Sequence, residues 1–510
     1  MNTTETSGQA RKYLLNYLLT YISILFCLFG VLIRLIQYLN NRSLWGDEAA
    51  LALNIVNRSY GELLAPLDYN QAAPTGFLWL EKLSSQLFGD SEYALRLFPF
   101  LSSIVSIWAF YRLANRYASP IAGTIAIAFF ACLRYTVYYA TELKQYSSDV
   151  MVTLLLCLLL IPIGQQVLRQ RQIIKISVLG AMAIWVSYPA VFVLAGIEVG
   201  YLLISPVNRL KTILVNRFGI YGTWLGSFAL LYWLTISGTM GNDHLISSWN
   251  DRFPDSVFDL VWLLDALGRF FYRPLGFFGF TDGIAIFAFI LGCVVLYHRN
   301  RVILLVLTAP FMITLVASYL HKYPFRERLV LFLAPLAILI IAEGIAFLIL
   351  PWRSKDYRHN SNHYKNSYFK PKIVEILGVI VLCLLIYTPL FRASQLIIKP
   401  ELVAEIKPVI EYIKSQQKLG DKLYIYYKGE NQFRYYAQKY GYSEWDYTLG
   451  KNDLKDIQQL RGQERVWVLF SNAGKPDKNE AVLSELDRIG ERIDGFIQPG
   501  AFVYLYSFLK

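Results

Sequence analysis

Charge is what this sequence has least of. Only 17% of its 510 residues are Asp, Glu, Lys or Arg, and 55% are hydrophobic. Soluble globular chains carry about 25% charged residues, so an ordinary soluble enzyme does not fit. Cysteine is scarce too. Cys27, Cys132, Cys157, Cys293 and Cys383 all lie inside apolar stretches and form no CxxC pair, which argues against a disulfide framework or a thiolate metal site. The basic excess of +12 is oddly placed, because residues 393–510 hold 17 basic and 16 acidic residues and are almost neutral. A nucleic-acid binder would gather its excess on a polar domain; here it lies between apolar runs. Disordered and collagen-like classes fail on the same composition. A polytopic membrane protein remains.

What is present is a series of apolar runs near 13–38, 96–115, 120–138, 148–167, 173–187, 189–205, 218–237, 281–298, 302–320, 329–350 and 372–391. Each is close to the roughly 20 residues that cross a bilayer core as a helix. Eleven spans are expected. Lys and Arg mark the cytoplasmic side of short loops. Arg11/Lys12, Arg112/Arg116, Arg169/Arg171/Lys175, Arg209/Lys211/Arg217, Arg299/Arg301 and the loop 351–371 all fall on one side of successive runs. The N-terminus is then cytoplasmic and residues 393–510 lie outside, most simply at a bacterial-type plasma (inner) membrane. The expected division is a transmembrane domain over 1–392 and an extracytoplasmic domain over 393–510.

The outward loops are then 39–95, 139–147, 238–280 and 321–328. In the first, DEAALALNIVN at 47–57 and TGFLWLEKLSSQLF at 75–88 have the apolar spacing of interfacial helices. The tail alternates helices (401–418, 431–440, 477–490) with strands (423–427, 466–470, 502–508), which predicts a small α/β domain. It carries no Gly-rich phosphate loop, HExxH or Walker sequence.

Chemistry-bearing residues gather in the outward loops. Asp47 and Glu48 follow the first span in SLWGDEAA, where a carboxylate could take the proton of a hydroxyl on a lipid-anchored substrate. A helix cap explains the same pair. Glu142, Lys144 and Tyr146 sit in RYTVYYATELKQYSSD, a loop short enough to hold them at the membrane surface. A second carboxylate there could approach Asp47 and share a divalent metal, and Lys144 could hold a phosphate; an aromatic belt with snorkelling charges is the alternative. HKYPFRER at 321–328 puts Lys322, Tyr323, Arg326 and Arg328 outside, against the charge rule the other loops obey. An anionic ligand such as a phosphate accounts for that placement; pairing with Glu327 or with lipid headgroups is the competing account. Tyr69, Asn70 and Gln71 before Pro74 form either a polar shelf or a turn. His244 beside Asp243, and His359 with His363, have weaker claims as metal ligands.

In order along the chain, WGDEA at 45–49, NQAAPTGFLWL at 70–80, ATELKQYSSD at 140–149 and YPFRERLVLFLAP at 323–335 resemble the polytopic glycosyltransferases of the C-type fold. The likeness lies close to the protein O-mannosyltransferase and aminoarabinose-transferase superfamily. NQAAPTG departs from that family's frequent double proline, having Ala73 before Pro74. The resemblance implies a sugar donor on a polyprenyl phosphate and an acceptor glycan, lipid or protein. It also implies Asp47 as general base with Glu48 beside it, Glu142 in a second acidic site that in some members helps bind a divalent metal, and Lys144, Arg326 and Arg328 on the lipid phosphate. The rival classes are a flippase or transporter for a lipid-linked saccharide, a scaffold subunit and a polymer ligase. A transporter tends to show internal repeats or midplane charges; no repeat is visible, and the polar candidates cluster at one surface.

Overall fold

The structure is a computed structural model describing residues 3–240, 249–350, 372–443, 445–472, 474 and 476–509. His244, Asp243, His359, His363 and the basic loop 351–371 lie outside the described residues. The chain divides into two compact units. The first comprises residues 1–37, 74–77 and 98–399, and the second 38–73, 78–97 and 400–510.

Helices occupy all eleven positions predicted as spans. Among the described residues, seven helices are long and apolar enough to cross a membrane, or eight if one bent pair counts as a single span. The expected count of eleven therefore reduces to seven or eight by length and composition. Gln170–Val186 and Ala190–Ile204 have 17 and 15 residues, giving about 26 and 23 Å of helix against a core of about 30 Å. Val207–Leu231 is longer but carries Arg209, Lys211 and Arg217.

The bent pair is Pro120–Cys132 with Arg134–Thr141, which meet at 57°. Residue Leu133 breaks the helix by adopting extended backbone, φ −60° and ψ 133°. A break in an apolar interior strands backbone carbonyls that need donors. Arg34 supplies them from Thr3–Leu39: it donates to the Ala131, Phe130 and Thr136 carbonyls at 3.1, 3.2 and 3.1 Å and to Gly30 of its own helix at 3.0 Å. The Thr136 hydroxyl donates to Leu133 and Phe130. One buried arginine thus substitutes for the missing helical ladder.

The core of the first unit is the helix Ala334–Ile349, almost wholly buried. It meets Phe280–Arg299 through small residues: a Cβ at Gly344 would strike the Ala288 carbonyl, and one at Gly292 the Ile340 carbonyl. Small residues let helix backbones approach where lipid removes most of the hydrophobic drive for helix association. Two ion pairs lie inside this unit. Arg217 donates to both oxygens of Glu198 at 2.6 Å, and Glu343 accepts from Arg299 at 2.7 Å and from the Ser119 amide at 2.7 Å.

The second unit contains helix Gly46–Asn57, most of Thr75–Phe88, and the C-terminal residues around a five-stranded sheet. The strands are β1 (Lys422–Ile425), β2 (Thr448–Leu449), β3 (Val466–Ser471), β4 (Glu491–Gln498) and β5 (Ala501–Ser507), in the order β2-β1-β3-β5-β4. β1 pairs in parallel with β2 and β3, whereas β5 runs antiparallel to β3 and β4. The α/β reading of the tail is met by this mixed sheet, with β2 and β4 as additions. β4, ERIDGFIQ, is an edge strand with charged exposed positions and Gly495, so it lacks the apolar run that marks buried β3 and β5.

Candidate functional site

The candidate residues fall in both units, and the geometry of each is described separately. In the second unit, Asp47 and Glu48 occupy the first turn of Gly46–Asn57. The two carboxylates have different environments. Glu48 is fully buried. It accepts from Arg96 Nε at 2.9 Å and Nη2 at 2.6 Å, and from the Trp45 amide at 3.3 Å. Arg96 also donates to the Arg42 and Ser43 carbonyls at 2.6 and 3.2 Å. Burial alone would lower the Arg96 pKa, but the Glu48 charge and hydrogen bonds more than reverse that and raise it. Asp47 is only partly buried. Gly46 admits the side chain of Asn472, which a Cβ would strike.

The segment entering this turn is anchored by residues far away in sequence. Glu405 accepts from the Ser43 amide and hydroxyl at 3.2 and 3.1 Å. Lys407 donates to the Asn41 carbonyl at 2.6 Å and lies 3.2 Å from Glu92. The Tyr436 hydroxyl accepts from the Leu44 amide at 2.8 Å and donates to Glu92 at 2.9 Å. Burial raises the Glu92 pKa, yet Lys407 and other partners overcome it and leave the carboxyl below its ordinary value. None of Glu405, Lys407 and Tyr436 stands out in the sequence, because nothing local marks a contact across more than 300 positions.

Tyr69 and Asn70 both have left-handed backbone, φ 59° and 53°. Tyr69 is exposed, Gln71 is half-buried, and the Gln71 amide donates to the Tyr69 carbonyl at 3.2 Å. The tight turn is thus present. Glu81, on Thr75–Phe88, is fully buried with neither carboxyl oxygen hydrogen-bonded. Burial pushes its pKa well above the usual carboxylate range. Its spacing from Leu78 and Ser85 on one buried helix face is the signal that could have revealed it.

In the first unit, the segment expected at the membrane surface is enclosed instead. Glu142, Lys144 and Tyr146 are all buried, Glu142 completely. They follow the short turn Tyr139–Thr141, and the Lys144 amide donates to the Glu142 carbonyl at 2.7 Å. Tyr146 packs edge-on against Tyr139, centroids 5.0 Å apart, and the Arg328 guanidinium lies 5.6 Å from the Tyr146 ring centroid. Sequence-distant HKYPFRER and ATELKQY therefore meet within one unit.

Arg326 pairs with Asp265 at 2.6 Å, and its Nη1 is buried without a hydrogen-bond partner among the described residues. Asp265 also accepts from Arg269 at 2.7 and 2.8 Å. Burial raises the Asp265 pKa, but hydrogen bonds from Arg269 and Arg326 outweigh it and bring it below the ordinary value. Glu327 has left-handed backbone, φ 45°, and faces Arg273 at 3.9 Å. The Tyr323 hydroxyl donates to the Leu329 carbonyl at 2.8 Å, and Lys322 is exposed. Gln145, Asp149 and Thr153 form a buried stripe at i, i+4, i+8.

Among the described residues no three His, Cys, Asp or Glu side chains gather as a metal-ligand set. Asp47 belongs to the second unit and Glu142 to the first.

Residues 72–234 match the family model described as dolichyl-phosphate-mannose-protein mannosyltransferase. No curated protein matches the sequence significantly. Among solved structures, the oligosaccharyltransferase of Archaeoglobus fulgidus in complex with Zn and sulfate aligns with a TM-score of 0.53 at 11% identity, over 95% of this chain and 72% of that one. The same enzyme tethered to an acceptor peptide gives 0.52 at 13%, over 96% and 74%. ArnT from Cupriavidus metallidurans in the apo state aligns at 0.49 and 14%, over 94% and 97%. The fold is therefore shared with the archaeal enzyme. By fold and composition the chain is a polytopic helical membrane protein, and residues 72–234 are the part of it that is similar to the mannosyltransferase family model.

Proposed function

We propose that this chain moves a sugar from a polyprenyl-phosphate carrier to an acceptor hydroxyl on the outer face of a bacterial-type inner membrane, by one-step inverting displacement. The carrying observation is the contrast between neighbouring carboxylates: Glu48 is taken up by Arg96 while Asp47, on the same anchored turn, stays half-exposed. Asp47 acts as the general base toward the acceptor hydroxyl, and Glu48 positions it.

The leaving group is a lipid phosphate, already anionic, so no acid has to protonate it. Cations that meet its developing charge suffice. Arg326, with one buried guanidinium nitrogen lacking a partner, heads that set, joined by Arg328, Lys144 and Lys322. Tyr146 and Tyr323 shape its aromatic wall, and Tyr69 and Gln71 face the acceptor. Glu142 orients the acceptor. The matched family's name, a dolichyl-phosphate-mannose enzyme, supports the donor class. In this reading residues 1–392 form the membrane-spanning catalytic domain and 393–510 the outer domain.

The test is sugar transfer by lipid-reconstituted protein, offered a panel of undecaprenyl-phosphate sugars with membrane extract as acceptor, wild type beside Asp47→Asn. Transfer lost in the folded variant supports the reading. Equal transfer in both removes Asp47 from the chemistry. Translocation of the lipid-linked sugar without transfer would establish the flippase instead.

A further inference from the structure

The C-terminal residues carry a feature that the transferase chemistry leaves unused. At the β1–β2 end of the sheet lies an open cleft of ≈ 570 Å³, within the size range of small-molecule sites. Its lining includes Lys414, Asp421, Tyr442, Trp445, Asp446 and Tyr447.

Trp445 is 95% exposed, an indole that folding leaves in water. The rings beside it are fixed. Tyr447 packs edge-on against Phe433 at 4.9 Å, and Tyr442 tilts against the same ring at 5.6 Å. The Lys414 ammonium sits 5.1 Å from the Tyr442 ring centroid. Asp446 is held by the Ser443 amide and hydroxyl, both on the one oxygen Oδ2. Asp421 is held by Arg465 and Trp467.

We infer that this cleft is a saccharide-binding site, separate from the transfer chemistry. Three features select that ligand. The exposed Trp445 indole at the cleft, beside half-buried Tyr447, matches the C–H face of a pyranose ring. Carboxylates and an ammonium at the rim accept from and donate to hydroxyl groups. The rim mixes Lys414 and Lys422 with Asp446, Asp421 being already paired with Arg465, and this mixed polarity suits a polyhydroxylated ligand. The inference does not depend on the proposed reaction, since binding is measured without a donor.

The experiment is saturation-transfer NMR and calorimetry on the full chain in nanodiscs with mannotetraose, maltotetraose, N-acetylchitotetraose and arabinotetraose. At least one is expected to bind, with affinity falling about ten-fold or more in Trp445→Ala, as when a central aromatic anchor is truncated, and largely kept in Trp445→Phe. Because Trp445 is exposed, its replacement leaves folding intact, and thermal unfolding of the variant confirms this. No binding across the panel, or binding indifferent to Trp445→Ala, overturns the inference. Quenching of Trp445 by brominated lipid would also overturn it, in favour of a membrane anchor. Transfer activity is unaffected by these outcomes and fails or survives on Asp47 alone.

Discussion

Arg96 closes a two-pronged ion pair on Glu48, 2.9 and 2.6 Å from its two carboxyl oxygens, with both side chains out of solvent. The pair ties the residue after Asp47 to the residue before the apolar run 97–117, so it fixes the turn that presents Asp47. Glu48→Gln leaves Arg96 charged and buried. Removing one partner of a buried pair costs about 3–5 kcal/mol, so both Glu48→Gln and Arg96→Met should lower the thermal unfolding midpoint clearly. Asp47→Asn, at a half-exposed position, should change stability by less than about 1 kcal/mol while abolishing transfer. Matching stability losses in Asp47→Asn and Glu48→Gln would contradict the division of roles.

Arg326 offers a sharper test of the phosphate site. One nitrogen of its guanidinium is paired with Asp265 and another is buried without a partner. Charge-assisted hydrogen bonds are worth about 1.5–3 kcal/mol, so Arg326→Ala should weaken donor binding by roughly ten-fold or more. Asp265→Asn keeps the cation and removes only its counter-charge, so donor affinity should hold or improve. Donor titration in nanodiscs checks both. Equal weakening by the two variants would make the Arg326–Asp265 pair merely structural.

The limits of the sequence are visible at particular residues. The apolar runs, the helices at 46–57 and 75–88, and three of the five strands were legible because burial imposes period and length on them. The bend at Leu133 was not, because its cause is Arg34, nearly 100 positions earlier. Residues 142–146 looked like a surface loop by length, yet they are buried, because HKYPFRER packs onto them. Asp265, Glu405, Lys407 and Tyr436 were invisible for the same reason. Each is an ordinary polar residue in its own neighbourhood, and its role exists only through a distant partner.

The Arg34 bend yields its own prediction. Arg34→Met would leave the carbonyls of Ala131, Phe130 and Thr136 without this donor inside an apolar unit. Each unsatisfied group costs about 1–3 kcal/mol, so the variant should unfold markedly earlier on heating in detergent. Lysine carries the charge without the planar fork and cannot reach all three acceptors, so Arg34→Lys should recover only part of the loss. Full recovery by lysine would show that charge, rather than the spread of donors, is what the bend requires.

Glu81 makes stability depend on pH in a direction opposite to the paired carboxylates. Its folded pKa is raised well above the ordinary 4.5 by burial, so above that value the unfolded chain has released a proton that the folded chain still holds. Proton release then favours unfolding. The stability is complete below about 4.5 and declines as pH rises toward the folded pKa, by up to about 1.4 kcal/mol per pH unit. Glu81→Gln has no proton to lose and should remove that slope between pH 5 and 7. Glu92 is shifted the other way; its contribution is present above the ordinary carboxyl value and falls away as acid protonates it. Thermal unfolding at several pH values separates the two. If the slope from pH 5 to 7 survives in Glu81→Gln, the titrating group lies elsewhere, and Glu81 has found a partner that keeps it ionised.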